Sequence, residues 1–306
     1  MSQSHEIKKV AIVGAGTLGA QIAVLAADAG YSVVAFDPNP KAFRKNLEDL
    51  RLALQNKGKE PFVPWDRWET CTERIEQFTD LGSTVARADL VIEAAPENLA
   101  LKRKIFRELG RMSPPEAILA TNSSSLPVSR IEESSGRPER CLNLHFYRPL
   151  EGMNIVDVMG GSRTSPDVMD AGIGFVRSLR CIPLTVKKEQ VGFCFNRVWR
   201  AIKRETLHMW AAGSVDFRDI DRAWMVFTGM NESPPFALMD NVGLDVVYDI
   251  EMVYYNESGD PKDHPPQALK DKIEKGELGV KSGRGFYSYP DPEYLRPDFL
   301  HPTTNR

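Results

Sequence analysis

The chain is 306 residues long, with 39 Lys and Arg against 42 Asp and Glu, a formal net charge of −3 and a hydrophobic content of 42%. That length exceeds what one compact core usually holds, so two domains are the starting expectation. The near-balance of charge excludes an electrostatic pull toward nucleic acid or anionic membranes, and no apolar run approaches the length of a membrane span.

Met1 to Glu6 lack the basic stretch and apolar run of a signal peptide. The apolar run Val10-Ala11-Ile12-Val13 then predicts a strand, which stops at Gly14-Ala15-Gly16-Thr17-Leu18-Gly19. A helix is expected from Ala20 to Ala29, ended by Gly30, and a second buried strand from Ser32 to Phe36 delivers Asp37. A G-x-G-x-x-G between strand and helix, with an acid at the end of the next strand, is a dinucleotide-binding fingerprint; the alternative is an ordinary βαβ turn with a stray acid. Gly14 would allow the tight turn, Gly16 the approach of a pyrophosphate, and Gly19 close packing of helix on sheet. The N–H groups at Thr17, Leu18 and Gly19 would meet the phosphates at the positive end of the helix dipole. Asp37 would accept from the adenosine ribose hydroxyls and repel a 2′-phosphate. The next basic residue is Lys41, so NAD is expected rather than NADP.

After a loop with Pro38 and Pro40, a helix is expected from Lys41 to Lys57. Gly58 to Trp68 breaks the pattern with two prolines and two tryptophans and reads as a surface excursion. A short strand in Arg74 to Leu81, a buried strand from Asp89 to Ala95, a helix from Glu97 to Arg111 and a strand from Ala117 to Thr121 follow. The last runs into the polar turn Asn122-Ser123-Ser124-Ser125. Strands at Cys141 to Phe146 and Ile155 to Met159, a helix from Ser165 to Leu179 and a strand from Ile182 to Val186 complete an alternating pattern, which means a mostly parallel, doubly wound sheet. From Phe193 onward strand signals vanish. Helices are expected at Cys194 to Ala212, Asp216 to Val226, Pro235 to Asn256 and Pro265 to Lys275, with a proline-rich tail from Tyr289. The fold class is therefore α/β, an N-terminal Rossmann-type sheet over 1–188 followed by an all-α domain over 189–306. Cys71, Cys141, Cys181 and Cys194 have neither metal-ligand nor C-x-x-C spacing; they read as reduced thiols of a cytoplasmic protein, and no metal site is expected.

Ligands of open parallel sheets bind beyond the carboxyl ends of the strands. Glu97-Asn98, Asn122 to Ser125, and His145 fall at such ends. Asp157 lies among apolar residues of the next strand, where a carboxylate is costly without a partner. Paired with it, His145 would have a fixed tautomer and raised basicity, as a base abstracting a hydroxyl proton needs; unpaired, it reads as a structural histidine.

These segments together make the chain resemble the L-3-hydroxyacyl-CoA dehydrogenase family over nearly its whole length. The resemblance runs through the Gly14–Gly19 turn, Glu93-Ala94-Ala95-Pro96-Glu97-Asn98-Leu99 with Lys102, Asn122 to Pro127, Leu144-His145-Phe146 and Val156-Asp157-Val158. It continues through Val191-Gly192-Phe193 with Asn196-Arg197, Asp219-Ile220-Asp221, Pro235 to Asp240, Val242 to Asp245 and Lys281 to Tyr287. The resemblance implies His145 as catalytic base, Asp157 as the acid that orients it, Ser124 as a donor to the substrate oxygen and Asn196 near the catalytic centre. It implies Glu97, Asn122, Lys102 and Lys281 at the cofactor, NAD as that cofactor, a small-molecule substrate, and a homodimer formed through the helical domain. Each position also has a bland reading: Ser124 and Asn196 as caps, Glu97 with Lys102 as an exposed helix pair, Lys281 as a solvated lysine.

Two positions depart from the family pattern. Its usual glutamate is Asp157 here, and the asparagine it usually has three residues after the histidine is Arg148. A guanidinium there favours a carboxylate on the substrate, a carboxylated acyl-CoA or a free hydroxy acid, and Arg200, one helical turn after Asn196, is placed to assist. The alternative is that both arginines pair with protein acids such as Glu151. A non-catalytic, crystallin-like NAD-binding protein is the competing class; it would need neither His145 nor Asp157.

Overall fold

The computed structural model describes residues 6–56, 58, 60–229 and 234–300. The expectations placed on Met1 to His5, on Lys57 and on the last six residues lie outside them. The chain divides into two compact units, Met1–Phe195 and Asn196–Arg306.

The first unit is built on strands β1 (Lys9–Val13), β2 (Ser32–Phe36), β3 (Glu76–Phe78), β4 (Leu90–Glu93), β5 (Ile118–Thr121), β6 (Cys141–Arg148), β7 (Met153–Gly160) and β8 (Ile182–Val186). Its helices are α1 (Thr17–Asp28), α2 (Ala42–Asn56), α3 (Trp65–Glu73), α4 (Leu81–Val85), α5 (Leu99–Met112) and α6 (Pro166–Ser178). The strands form one sheet in the order β3-β2-β1-β4-β5-β6-β7-β8, parallel throughout except between β6 and β7. The order reverses between β1 and β4, which opens a crevice at the carboxyl ends of those strands. Side chains alternate across the sheet: Val10 and Ile12 join the core under α1, α2, α3 and α6, whereas Ala11 and Val13 join the core under α4 and α5. Both faces are therefore covered, as expected of a doubly wound sheet.

Besides the short helix α4, which the sequence reading did not include, two elements differ from expectation. The stretch read as an irregular excursion contains α3, with Trp68 and Cys71 buried against the first core. Pro64 sits immediately before its first residue, where a missing N–H does no harm, and the proline masks the helix that follows. The single helix expected from Pro235 to Asn256 is two, α9 (Pro235–Val242) and α10 (Leu244–Ser258). Gly243 separates them at φ +100, and a Cβ there would lie 2.9 Å from the Lys281 ammonium.

The second unit also contains α7 (Phe195–Ala211, whose first residue belongs to the first unit), α8 (Phe217–Thr228) and α11 (Gln267–Glu274). Its core is aromatic: Phe286 contacts Phe236 at 4.5 Å, Trp210 at 4.8 Å and Phe217 at 5.5 Å between ring centroids. Trp199 and Trp210 pack on that core. Asp240 is buried within it and accepts from the Phe286 and Tyr287 N–H groups and the Tyr289 hydroxyl. Among the described residues no helix is long and apolar enough to cross a membrane, and no group of three or more His, Cys, Asp or Glu is arranged to hold a metal ion.

Candidate active site

The glycine turn links β1 to α1. Gly14 has φ +105, and a Cβ there would lie 2.7 Å from the Ala94 carbonyl oxygen at the end of β4. A Cβ at Gly19 would collide with the Gly14 carbonyl oxygen, so the helix approaches the turn only with glycine at both places. Gly16 differs: an added Cβ would meet nothing within 4 Å. It is the N-cap of α1, without a side-chain cap and with no acid in the first turn. Open space above uncapped N–H groups fits a pyrophosphate. At the end of β2, Asp37 accepts from the Ala15 N–H at 3.0 Å and from the Asn39 N–H at 2.9 Å, holding its carboxylate beside the turn.

At the carboxyl end of β4 lie Glu97 and Lys102, implied at the cofactor by the resemblance, with an exposed helix pair as the bland alternative. Lys102 is instead 1% exposed. Its ammonium donates to both oxygens of Glu93, at 2.8 and 3.0 Å, and to the Ala95 carbonyl at 3.1 Å, with Glu97 at 3.4 Å. Glu93 is fully buried and also accepts from the Thr121 hydroxyl and the Ala95 N–H, both at 2.7 Å. Glu97 extends this network into the serine turn: one of its oxygens accepts from the Ser123 hydroxyl, the Ser125 hydroxyl at 2.7 Å and the Ser125 N–H at 3.0 Å. Burial works to raise the Glu97 carboxyl, but those hydrogen bonds and the Lys102 charge hold it below the usual range. Ser124, between the two bonded serines, is exposed, and its hydroxyl has no partner among the described residues. Asn122 ties the turn to β6 by accepting from the Phe146 N–H at 2.8 Å.

His145 and Asp157 occupy directly opposed positions of the antiparallel pair β6 and β7. Opposed residues present their side chains on one face, and His145 Nδ1 lies 3.1 Å from Asp157 Oδ2. Asp157 is fully buried and accepts further from the Tyr147 hydroxyl at 2.8 Å and the Cys194 N–H at 3.2 Å. The imidazole packs on Tyr147, 4.5 Å between centroids, and stacks on Phe193 at 5.2 Å and 28°. Phe193 itself has φ +50. Among the described residues His145 Nε2 has no hydrogen-bond partner. This arrangement can hold one tautomer, take a proton at Nε2 and stabilise the cation formed.

Arg148 ends β6 with its side chain 67% exposed and one long contact, 3.8 Å, to Glu151. Three expected residues lie in the helical unit. Asn196 stands in the first turn of α7, partly exposed, with a side chain that makes no hydrogen bond among the described residues. Arg200, expected to face the substrate, is engaged by protein acids instead: Asp263 at 2.7 Å, Glu251 at 3.4 Å and the Tyr254 ring at 4.4 Å. Lys281, expected at the cofactor, pairs with Asp245 at 2.5 and 2.6 Å. Sequence reasoning missed Glu93, Tyr147 and Phe193. A carboxylate inside the apolar run Leu90–Glu93 and an aromatic two residues from His145 were the available signals.

The family model for the 3-hydroxyacyl-CoA dehydrogenase NAD-binding domain matches residues 9–190, and that for the 3-hydroxyacyl-CoA dehydrogenase C-terminal domain matches residues 192–289. The chain is 35% identical over 293 residues to a probable 3-hydroxybutyryl-CoA dehydrogenase of Bacillus subtilis (strain 168), across 94% of this chain and 99% of that one. It is 28% identical over 295 residues to a 5-formyl-3-hydroxy-2-methylpyridine 4-carboxylate 5-dehydrogenase of Mesorhizobium japonicum, across 92% and 91%. The crystal structure of an (S)-3-hydroxybutyryl-CoA dehydrogenase from Ralstonia eutropha matches with a TM-score of 0.83 at 31% identity, across 94% of this chain and 100% of that one. Two family models in succession, on a doubly wound sheet whose glycine turn stands open for a dinucleotide, make this chain a member of the 3-hydroxyacyl-CoA dehydrogenase family and an NAD-dependent oxidoreductase.

Proposed function

We propose that the chain oxidises the 3-hydroxyl of an L-3-hydroxyacyl-CoA, or reduces the 3-oxo compound, with His145 as general base and with an acyl group that carries an additional carboxylate. The observation that carries the reading is the buried His145–Asp157 pair, 3.1 Å from Nδ1 to Oδ2, with Nε2 left without a partner among the described residues. Asp157 holds the proton on Nδ1, so Nε2 receives the proton of the substrate hydroxyl as C3 loses hydride. The imidazolium so formed stays beside the carboxylate that stabilises it. When bound, NAD supplies the acceptor for that hydride at its nicotinamide ring. In reduction the same nitrogen returns the proton to the carbonyl oxygen.

The remaining roles follow from where side chains are committed. Ser124 donates to the substrate oxygen, since its neighbours are taken by Glu97 and it is not. For Asn196 a role toward the substrate rests on the resemblance alone. Gly14, Gly16, Thr17, Leu18, Gly19 and Asp37 hold the adenosine and pyrophosphate half of NAD; Glu97, Asn122 and Lys102 serve its other half, Lys102 through Glu93 and Glu97, whereas Lys281 is committed to Asp245. Arg148 meets the extra carboxylate, because its guanidinium is largely exposed and its contact to Glu151 is long. A relative that acts on a pyridine carboxylate agrees with an acidic group near the reacting centre. Residues 1–188 serve the cofactor, and 189–306 the substrate and a homodimer in the cytoplasm.

A substrate panel tests this. 3-Hydroxybutyryl-CoA, a 3-hydroxy dicarboxylic acyl-CoA and the corresponding free hydroxy acids are compared by the absorbance of reduced nicotinamide. The carboxylated thioester should give the highest kcat/KM, and Arg148→Asn should erase its advantage. If plain 3-hydroxybutyryl-CoA is by far the best substrate, the role of Arg148 is wrong; if only free acids turn over, the thioester assignment is wrong.

A further inference from the structure

We propose that Tyr147 is the positioning residue of the His145–Asp157 pair: its hydroxyl shares the carboxylate oxygen that faces the imidazole and so sets the basicity of His145. The inference rests on His145 being the base and adds what tunes it.

Tyr147 lies two residues beyond His145 on β6, and alternation along a strand returns its side chain to the same face. The ladder shifts register between Phe146 and Arg148, where the partner strand carries an extra residue. Such an irregularity re-aims nearby side chains, and here the phenol is directed diagonally at Asp157, which stands opposite His145. Tyr147 O–H donates to Oδ2 at 2.8 Å, and His145 Nδ1 lies 3.1 Å from that same oxygen. The other oxygen, Oδ1, accepts the Cys194 N–H at 3.2 Å.

The carboxylate has no exposure to water, so these three donors fix how its charge is distributed. Two of them compete for Oδ2. While the phenol donates, the oxygen has less charge to offer the imidazole, and the imidazolium is stabilised less than a lone aspartate would stabilise it. The groups around the pair are few. Tyr147 comes from the same strand, Asp157 from β7, and Phe193 and Cys194 from the segment after β8; of these, Phe193 contributes only a ring and Cys194 a backbone N–H. Among the described residues no other titratable side chain forms a hydrogen bond, ion pair or ring contact with His145 or Asp157.

Removing the hydroxyl alone isolates this effect, since phenylalanine keeps the ring against the imidazole. The titration of His145 is followed by NMR in the labelled full-length protein and in Tyr147→Phe, with the resonance identified by its loss in His145→Gln. The pH profiles of kcat/KM for 3-hydroxybutyryl-CoA with NAD, and for acetoacetyl-CoA with NADH, are measured beside it. The His145 midpoint should move up by roughly half a unit to one unit in Tyr147→Phe. Both kinetic profiles should move upward in step, because one direction needs the imidazole neutral and the other needs it protonated. A tyrosine that only packs would lower rates without moving the midpoint. An unmoved or lowered midpoint overturns the proposal. If His145→Gln keeps wild-type turnover, it is the base assignment that fails, and that result is separate from the Tyr147→Phe titration.

Discussion

Asp37 accepts the N–H of Ala15 at 3.0 Å, so the acid at the tip of the second strand is fastened to the turn that follows the first. Two duties meet in one carboxylate under the proposed function: it steadies the turn and would accept from the ribose. Asp37→Ala should therefore weaken NAD binding by about 10- to 100-fold, the equivalent of one or two charge-assisted hydrogen bonds, and narrow the preference over NADP. Titration of both dinucleotides by calorimetry checks this, and an unchanged NAD affinity would remove Asp37 from the site.

The glycines should separate by what surrounds them. Gly16→Ala places a methyl in open space on an extended backbone, so the fold should hold while the methyl obstructs the phosphates. NAD affinity is expected to fall at least about tenfold with Tm nearly unchanged. Gly14→Ala puts a Cβ 2.7 Å from the Ala94 carbonyl at φ +105 and should cost several kcal/mol of stability (~2–4) before binding is considered. Equal effects of the two on Tm would contradict this reading of the turn.

His145→Ala should lower turnover by about 10²–10⁴-fold, the usual contribution of a positioned general base. Affinity for NAD should stay within about threefold, since no hydrogen bond joins His145 to the glycine turn. Turnover that survives the change would reject His145 as the base.

Lys102 and Glu93 form a buried ion pair at 2.8 Å. Lys102→Met leaves the Glu93 carboxylate in the interior without its cation and should destabilise the first unit by about 3–5 kcal/mol. Adding Glu93→Gln should restore part of that loss, because the stranded charge is then gone. Urea denaturation of the single and double variants measures both; a loss below about 1 kcal/mol for Lys102→Met would mean that the pair is not dry.

Asp221 is buried in the helical unit, where it accepts from the Phe236 N–H at 3.0 Å and the Tyr287 hydroxyl at 2.8 Å. Burial dominates these hydrogen bonds and pushes its carboxyl up to about 7. In the unfolded chain an aspartate titrates near ~3.9. The resulting stability is complete below about pH 4, shrinks as the pH climbs, and is gone above about pH 7, with a slope of at most ~1.4 kcal/mol per unit. Asp221→Asn should flatten that slope in denaturation series at about pH 5 and about pH 8. Identical slopes in the two proteins would rule it out.

The sheet was largely legible because its strands are apolar, β-branched runs closed by unambiguous residues. Ser32 to Phe36, set between Gly30 and Asp37, coincides with β2 at both ends. The contact between His145 and Asp157 was legible for a related reason: a carboxylate among apolar neighbours needs a partner, and the next strand carried one. The same argument applied to Glu93 and would have reached Lys102, which helical spacing alone made look like a surface residue. Helix α3 was hidden by Pro64, and the break at Gly243 by the apolar residues on both sides of it. Arg200 was misjudged because Glu251 and Asp263 lie far along the chain, and only folding brings them to it.

The serine turn has a consequence for how this enzyme could be altered. One acid fastens the outer two hydroxyls, so the crest between them is carried as steadily as if it stood on a helix, although it belongs to a loop. The middle side chain bears none of that load. A designer could exchange it for another donor, or for none, and read the result in selectivity rather than in yield of folded protein. The same exchange one place to either side would undo the mounting itself.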